Sequence, residues 1–149
     1  MTLENLLAIH RLQAFEATPG GVLRLLASAE RNMADARLIE LSNDNRFDAA
    51  YKTIMQCAMI GLWAKGFRTA TSQPGHHQTA LQTLPKTLGT AADTVIVLDA
   101  LRKQRNLNDY EGDPVTDAAV RECLAQAQAL LAHTRQWLHS HRPDLLSEN

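Results

Sequence analysis

Arg105, Asn106, Asp109 and Tyr110 bring a guanidinium, an amide, a carboxylate and a phenol within about two turns of one segment, Asp93 to Tyr110, that the apolar spacing predicts as a helix. Together such groups could orient a phosphodiester or a nucleotide phosphate. Arg105 is the most telling of them. Counting from Leu98, Leu101 falls at i+3 and Arg105 at i+7, so the arginine extends a stripe that should bury leucines. A half-buried arginine is either one side of a structural ion pair or part of a site that handles anions. Asp109, four residues on, supplies the structural alternative, an intrahelical pair worth about 0.2–0.5 kcal/mol.

A second group of polar residues is His76, His77 and Gln78, which follow the polar loop 69–75 and open a short helical stretch. Backbone N–H groups there, with Gln78, could form part of an anion or phosphate pocket; the alternative is a solvated loop whose histidines pack locally. Adjacent helical residues point about 100° apart, so the two histidines cannot face one ion, and no metal site is expected. His133, His139 and His141 read as surface residues on or after the last helix, while Tyr51, Met55, Met59 and Trp63 have the spacing of ordinary core. Nucleotide-phosphate loops of the Walker type, a Gly-rich dinucleotide fingerprint, CxxC and Gly-x-Ser-x-Gly are all missing from the sequence. Phosphoryl transfer, hydride transfer and serine hydrolysis therefore have no support, and no cofactor is implied.

An Arg-Asn pair late in the penultimate long helix of a small all-helical chain resembles the signature of the HEPN superfamily (higher eukaryotes and prokaryotes nucleotide-binding). In that signature an arginine, usually followed by a polar residue, precedes a histidine by four to six intervening residues. The resemblance implies a helical bundle that forms a homodimer and occurs in toxin–antitoxin or other defence loci. It further implies an antitoxin or minimal nucleotidyltransferase as partner and, in active members, metal-independent cleavage of RNA. Arg105 and Asn106 match the first half of the motif, whereas Tyr110 holds the histidine slot and Glu111 and Gly112 supply no substitute. Cleavage needs a base for the 2′-hydroxyl proton, and a phenol of pKa about 10 is a poor base at neutral pH. The first expectation is thus a component that binds a partner, a nucleotide or nucleic acid. An endoribonuclease using Arg105, with Asn106 and Tyr110 as further catalytic candidates, comes second, and a helical protein with no nucleic-acid role third.

The elements that must hold these residues are helical throughout. A leading arm or short helix (1–17) precedes a bundle (18–142), and the tail (143–149) is expected to fray. Within the bundle, one helix runs from Thr18-Pro19-Gly20-Gly21 to about Leu41. A second follows the turn at Ser42–Asn45, where Asn45 and Asp48 resemble a capping pair, and stops at Gly66. Two short pieces around Pro85 lead to the helix of Arg105, and a last helix is capped by Thr116. This predicts an all-α, antiparallel up-and-down bundle of four long helices plus short ones, without strands. The length of 149 residues suits one domain. A formal net charge of −1 gives no global pull toward nucleic acid or anionic membrane, so any RNA contact must be local. Cys57 and Cys123 fall on apolar faces and read as small core residues in a reducing cytoplasm, with no disulfide and no membrane span expected.

Overall fold

The computed structural model describes residues 1–148. A short helix, α1 (Leu3–Ala8), leads to a strand, β1 (Leu12–Ala14), and then to α2 (Pro19–Ala36) and α3 (Asn43–Ala64). A second strand, β2 (Phe67–Thr69), precedes α4 (His76–Gln82) and α5 (Leu84–Thr87). The chain then forms α6 (Ala92–Glu111), α7 (Asp117–His141) and a closing 3-10 turn, Pro143–Leu146. The four long helices and the all-α class agree with the sequence reading. Four helix starts share one device: the hydroxyls of Thr2, Thr18, Ser42 and Thr116 accept from the N–H groups of Asn5, Gly21, Asn45 and Ala119 at 3.0–3.1 Å. Ser42, not Asn45, is therefore the cap of α3, which leaves Asp48 available for other work.

Successive long helices run antiparallel, and α3 is the axis of the molecule. It packs along α2 and α7, while α6 leans on α4 and α3. Because α3 and α7 are two steps apart in the up-and-down order, they run parallel. Cys123 Sγ approaches the Phe47 carbonyl near their starts, and the Arg142 guanidinium donates to the Ala64 carbonyl at their ends. Buried and half-buried polar groups between α2 and α3 are satisfied across the interface: Thr53 Oγ1 donates to the Ala29 carbonyl at 3.1 Å, and Gln56 bridges Ser28 and Asn32 at 2.9 Å each. On the opposite side α5 sits so close to α3 that a Cβ at Gly61 would lie 2.7 Å from Thr87 Oγ1, so only glycine fits. Cys57 and Cys123 are free and buried, and burial pushes both thiols up to about 12, which keeps them protonated and inert.

Three features differ from the sequence reading. Helix α2 stops at Ala36 rather than near Leu41; Arg46 Nε caps the Ala36 carbonyl at 2.9 Å, and Leu38, Ile39 and Leu41 are left on the surface. Next, β1 and β2 form a two-stranded antiparallel ribbon, Leu12 opposite Thr69, where no strand was expected. Three residues per strand are too few for alternation to register in sequence. Through Leu3 and Leu12 the N-terminal arm joins the common core. Lastly, the tail does not fray through Leu146: Leu145 is 1% exposed, and Arg142 pairs with Asp144 at 3.0 Å. The expectation for Asn149 lies outside the described residues.

Candidate functional site

Helix α6 is held against the bundle by Leu98 and Leu101, its two buried residues, and the next inward position is Arg105. Gly112, at φ +74°, ends the helix in a left-handed turn that an L side chain would resist. The arginine points inward as its spacing requires, yet it meets more than Asp109. Its Nε donates to Asp48 Oδ1 at 3.1 Å, while Asp109 Oδ2 lies at 3.9 Å and the guanidinium sits 5.1 Å from the centre of the Tyr51 ring. Asp48 and Tyr51 are three residues apart on α3, so one face of that helix presents both a carboxylate and an aromatic ring to the cation.

The chain of contacts continues past Tyr51. Its phenol, otherwise buried in the core, reaches His77 Nδ1 at 3.2 Å, and the His76 and His77 rings meet edge to face with centroids 4.7 Å apart. Burial pushes the Tyr51 hydroxyl up to about 12 despite the opposing pull of Arg105 and Arg102, so it stays protonated. When that hydroxyl donates to Nδ1, the proton of a neutral imidazole sits on Nε2. Burial, then the positive neighbours His76, Arg105 and Arg102, holds the His77 pKa below its ordinary value, which favours that neutral ring. Burial works against the charge on Arg105 as well, but the hydrogen bond and charge of Asp48, with Asp109, outweigh it and raise the arginine further. Beside this row Arg102 is paired with Asp99 at 2.8 Å, and Asp99 is held below the usual carboxylate range: burial acts to raise it, and the Arg102 hydrogen bond and charge prevail.

The sequence-predicted residues therefore divide. Arg105 and His77 belong to one constellation through Tyr51, with Asp109 and His76 at its margins. Asn106 and Gln78 are half-buried, each one position on from a member of the row. Tyr110 does not join: it is 89% exposed, because five residues on from Arg105 carries it roughly 140° around the helix. The tyrosine that meets the arginine is Tyr51, which spacing assigns to core, and the carboxylate is Asp48, which sequence had paired with Asn45. A carboxylate three residues before a tyrosine on an otherwise apolar stripe was the signal available in sequence. His133, read as a surface residue, is exposed but anchored, its Nε2 2.6 Å from the Leu88 carbonyl.

Next to Arg105 lies a cavity of about 130 Å³ between the start of α3 and the end of α6, lined by Asp44, Asn45, Phe47, Asp48, Arg105, Asn108, Asp109 and Val115. Three carboxylates against one guanidinium make it acidic, and nucleotide-sized sites run from about 300 Å³ upward. It suits a small cationic group better than a phosphate. Among the described residues no group of three or more His, Cys, Asp or Glu side chains is placed to hold a metal ion, and no helix is long and apolar enough to cross a membrane. Compared with models of known families, with curated proteins and with solved structures, the chain matches none of them.

Proposed function

We propose that the protein works by binding, as a HEPN-like homodimeric component of a toxin–antitoxin or defence-type locus that engages a protein partner. The observation that carries this reading is the commitment of Arg105: its hydrogen bond, its charge and its flat face are spent on Asp48, Asp109 and Tyr51, and the adjoining cavity is acidic. An RNA phosphate approaching it would meet the repulsion of Asp44, Asp48 and Asp109. The outer face of α6, by contrast, offers Ile96, Leu107 and Tyr110, which are 69%, 53% and 89% exposed and share one stripe with Lys103. A second copy fits this stripe. If two α6 helices cross antiparallel with Leu107 on the two-fold axis, Lys103 of each lies opposite Glu111 of the other, so apolar contact and charge agree.

Sedimentation of the purified chain at tens of micromolar should give a dimer, and Leu107→Glu should give a folded monomer. A wild-type monomer would remove the pairing. One observation favours the ribonuclease alternative: His77, the neutral imidazole missing from α6, reaches the Arg105 environment from α4. RNA incubated with the protein in EDTA separates the two readings. The binding reading expects no cleavage above background, whereas cleavage lost in both Arg105→Ala and His77→Ala would replace it with an endoribonuclease.

A further inference from the structure

Charge is distributed unevenly over this near-neutral chain. Residues 35–48 and 105–122 carry nine carboxylates against four arginines, whereas the remainder carries seven against eleven Lys and Arg. These two stretches form one end of the molecule: the α2–α3 connection and the α6–α7 connection are laced together there. Asn43 Nδ2 donates to the Val115 carbonyl and to Asp117 at 3.0 and 2.8 Å, and Asp44 accepts from Val115 N–H at 2.9 Å. The same end exposes Leu38, Ile39 and Leu41, with Ile39 79% exposed.

Resting on the reading that the protein binds a protein partner, we propose that this acidic end docks a basic segment of that partner, with an Arg or Lys head group entering the cavity among Asp44, Asp48 and Asp109 and apolar side chains covering Ile39 and its neighbours. Three independent properties converge on such an occupant. The cavity's 130 Å³ and its surplus of carboxylate suit a guanidinium or ammonium. Asp109, whose side chain is 57% exposed and 3.9 Å from Arg105, is the wall carboxylate best able to take a new partner. And Leu38, Ile39 and Leu41, exposed at the same end, give the apolar side chains of such a segment a surface to cover. A polyanion meets the wrong charge here, and a purely apolar segment would take these carboxylates out of water without bringing them a cation.

Fluorescence anisotropy with the full chain tests this, using three labelled probes of about a dozen units: alternating Arg and Leu, alternating Glu and Leu, and single-stranded RNA. The Arg-Leu peptide should bind, more weakly as salt rises. Asp109→Lys should weaken it about tenfold and Ile39→Ser about threefold, while Glu16→Lys, an equal charge change on an exposed residue at the other end, leaves it within about twofold. Asp109→Asn, which removes the negative charge without adding a positive one, should fall between wild type and Asp109→Lys. Equal loss in Glu16→Lys, binding of the RNA or the Glu-Leu peptide as tight as that of the Arg-Leu peptide, or no binding by any probe would each overturn the proposal. Sedimentation keeps the failures apart: a dimer that ignores the peptide sinks only the docking site, and a monomer that binds it sinks only the α6 pairing.

Discussion

Helices α3 and α6 are nearly the same length, 22 and 20 residues, yet α3 buries twelve of its residues and α6 two. The first is enclosed by α2, α7, α4, α5 and β2, so its side chains are chosen by packing. The second is fastened by a leucine pair at its middle and one polar row below it, which leaves its far side and its last turns open to other uses. Where the core takes most of a helix, its residues report the fold; where it takes a tenth, the remainder is left open to contacts with other molecules.

The sharpest way to break this contrast is a pair of truncations. Ile54→Ala on α3 removes a fully buried side chain and should cost about 2–5 kcal/mol, whereas Leu107→Ala on the outer face of α6 should change the stability of the monomer by less than about 0.5 kcal/mol. Urea denaturation of both variants at low protein concentration checks it, and equal losses would mean that α6 is seated far more deeply than its burial implies. Next in size is the fastening itself. Arg105→Ala loses a partly exposed ion pair and a ring contact, together about 1–2 kcal/mol, and Asp48→Ala should lose less than additively when combined with it. A double-mutant cycle that sums without coupling would show the two helices are not joined there.

Smaller still is Tyr51→Phe, which keeps the ring under Arg105 and removes only the hydroxyl bonded to His77, an expected loss of about 0.5–1.5 kcal/mol in melting or urea experiments. The smallest effect is on pH dependence. His77 is held below its ordinary pKa in the folded state, so the unfolded chain binds the extra proton first and stability falls as pH drops from the ordinary histidine value toward the lowered one. Tm should therefore decline from about pH 7 to pH 5 in wild type and decline less in His77→Gln. An identical slope in both would assign the effect to other groups.

What the sequence disclosed follows the same division. The stripe from Phe47 to Trp63 was legible because core residues repeat every three or four positions, and Thr116 marked the start of the last helix. Arg105 was legible because it interrupts such a stripe. Its partners were not, since Asp48 and Tyr51 lie 57 and 54 positions earlier in the chain and nothing local announces a contact across that distance. The end of α2 was misread for an opposite reason: Leu38, Ile39 and Leu41 keep the helical spacing, but the structure gives them no surface to cover. Tyr110 was placed by proximity in sequence to Arg105, and helical geometry carries it to the other side.

The small ribbon has a consequence for the order of assembly. Gln13 and Arg68, hydrogen-bonded across β1 and β2 at 3.0 Å, are 55 residues apart, and the whole α2–α3 hairpin lies between them. As the chain emerges in synthesis, β1 has no partner until both long helices are out, so the arm stays unpaired while the hairpin forms from local contacts. On that order the ribbon should fasten after the hairpin rather than before it. Its amide protons should exchange with solvent faster than those at the centre of α3, reporting an arm that opens while the hairpin beneath it stays closed.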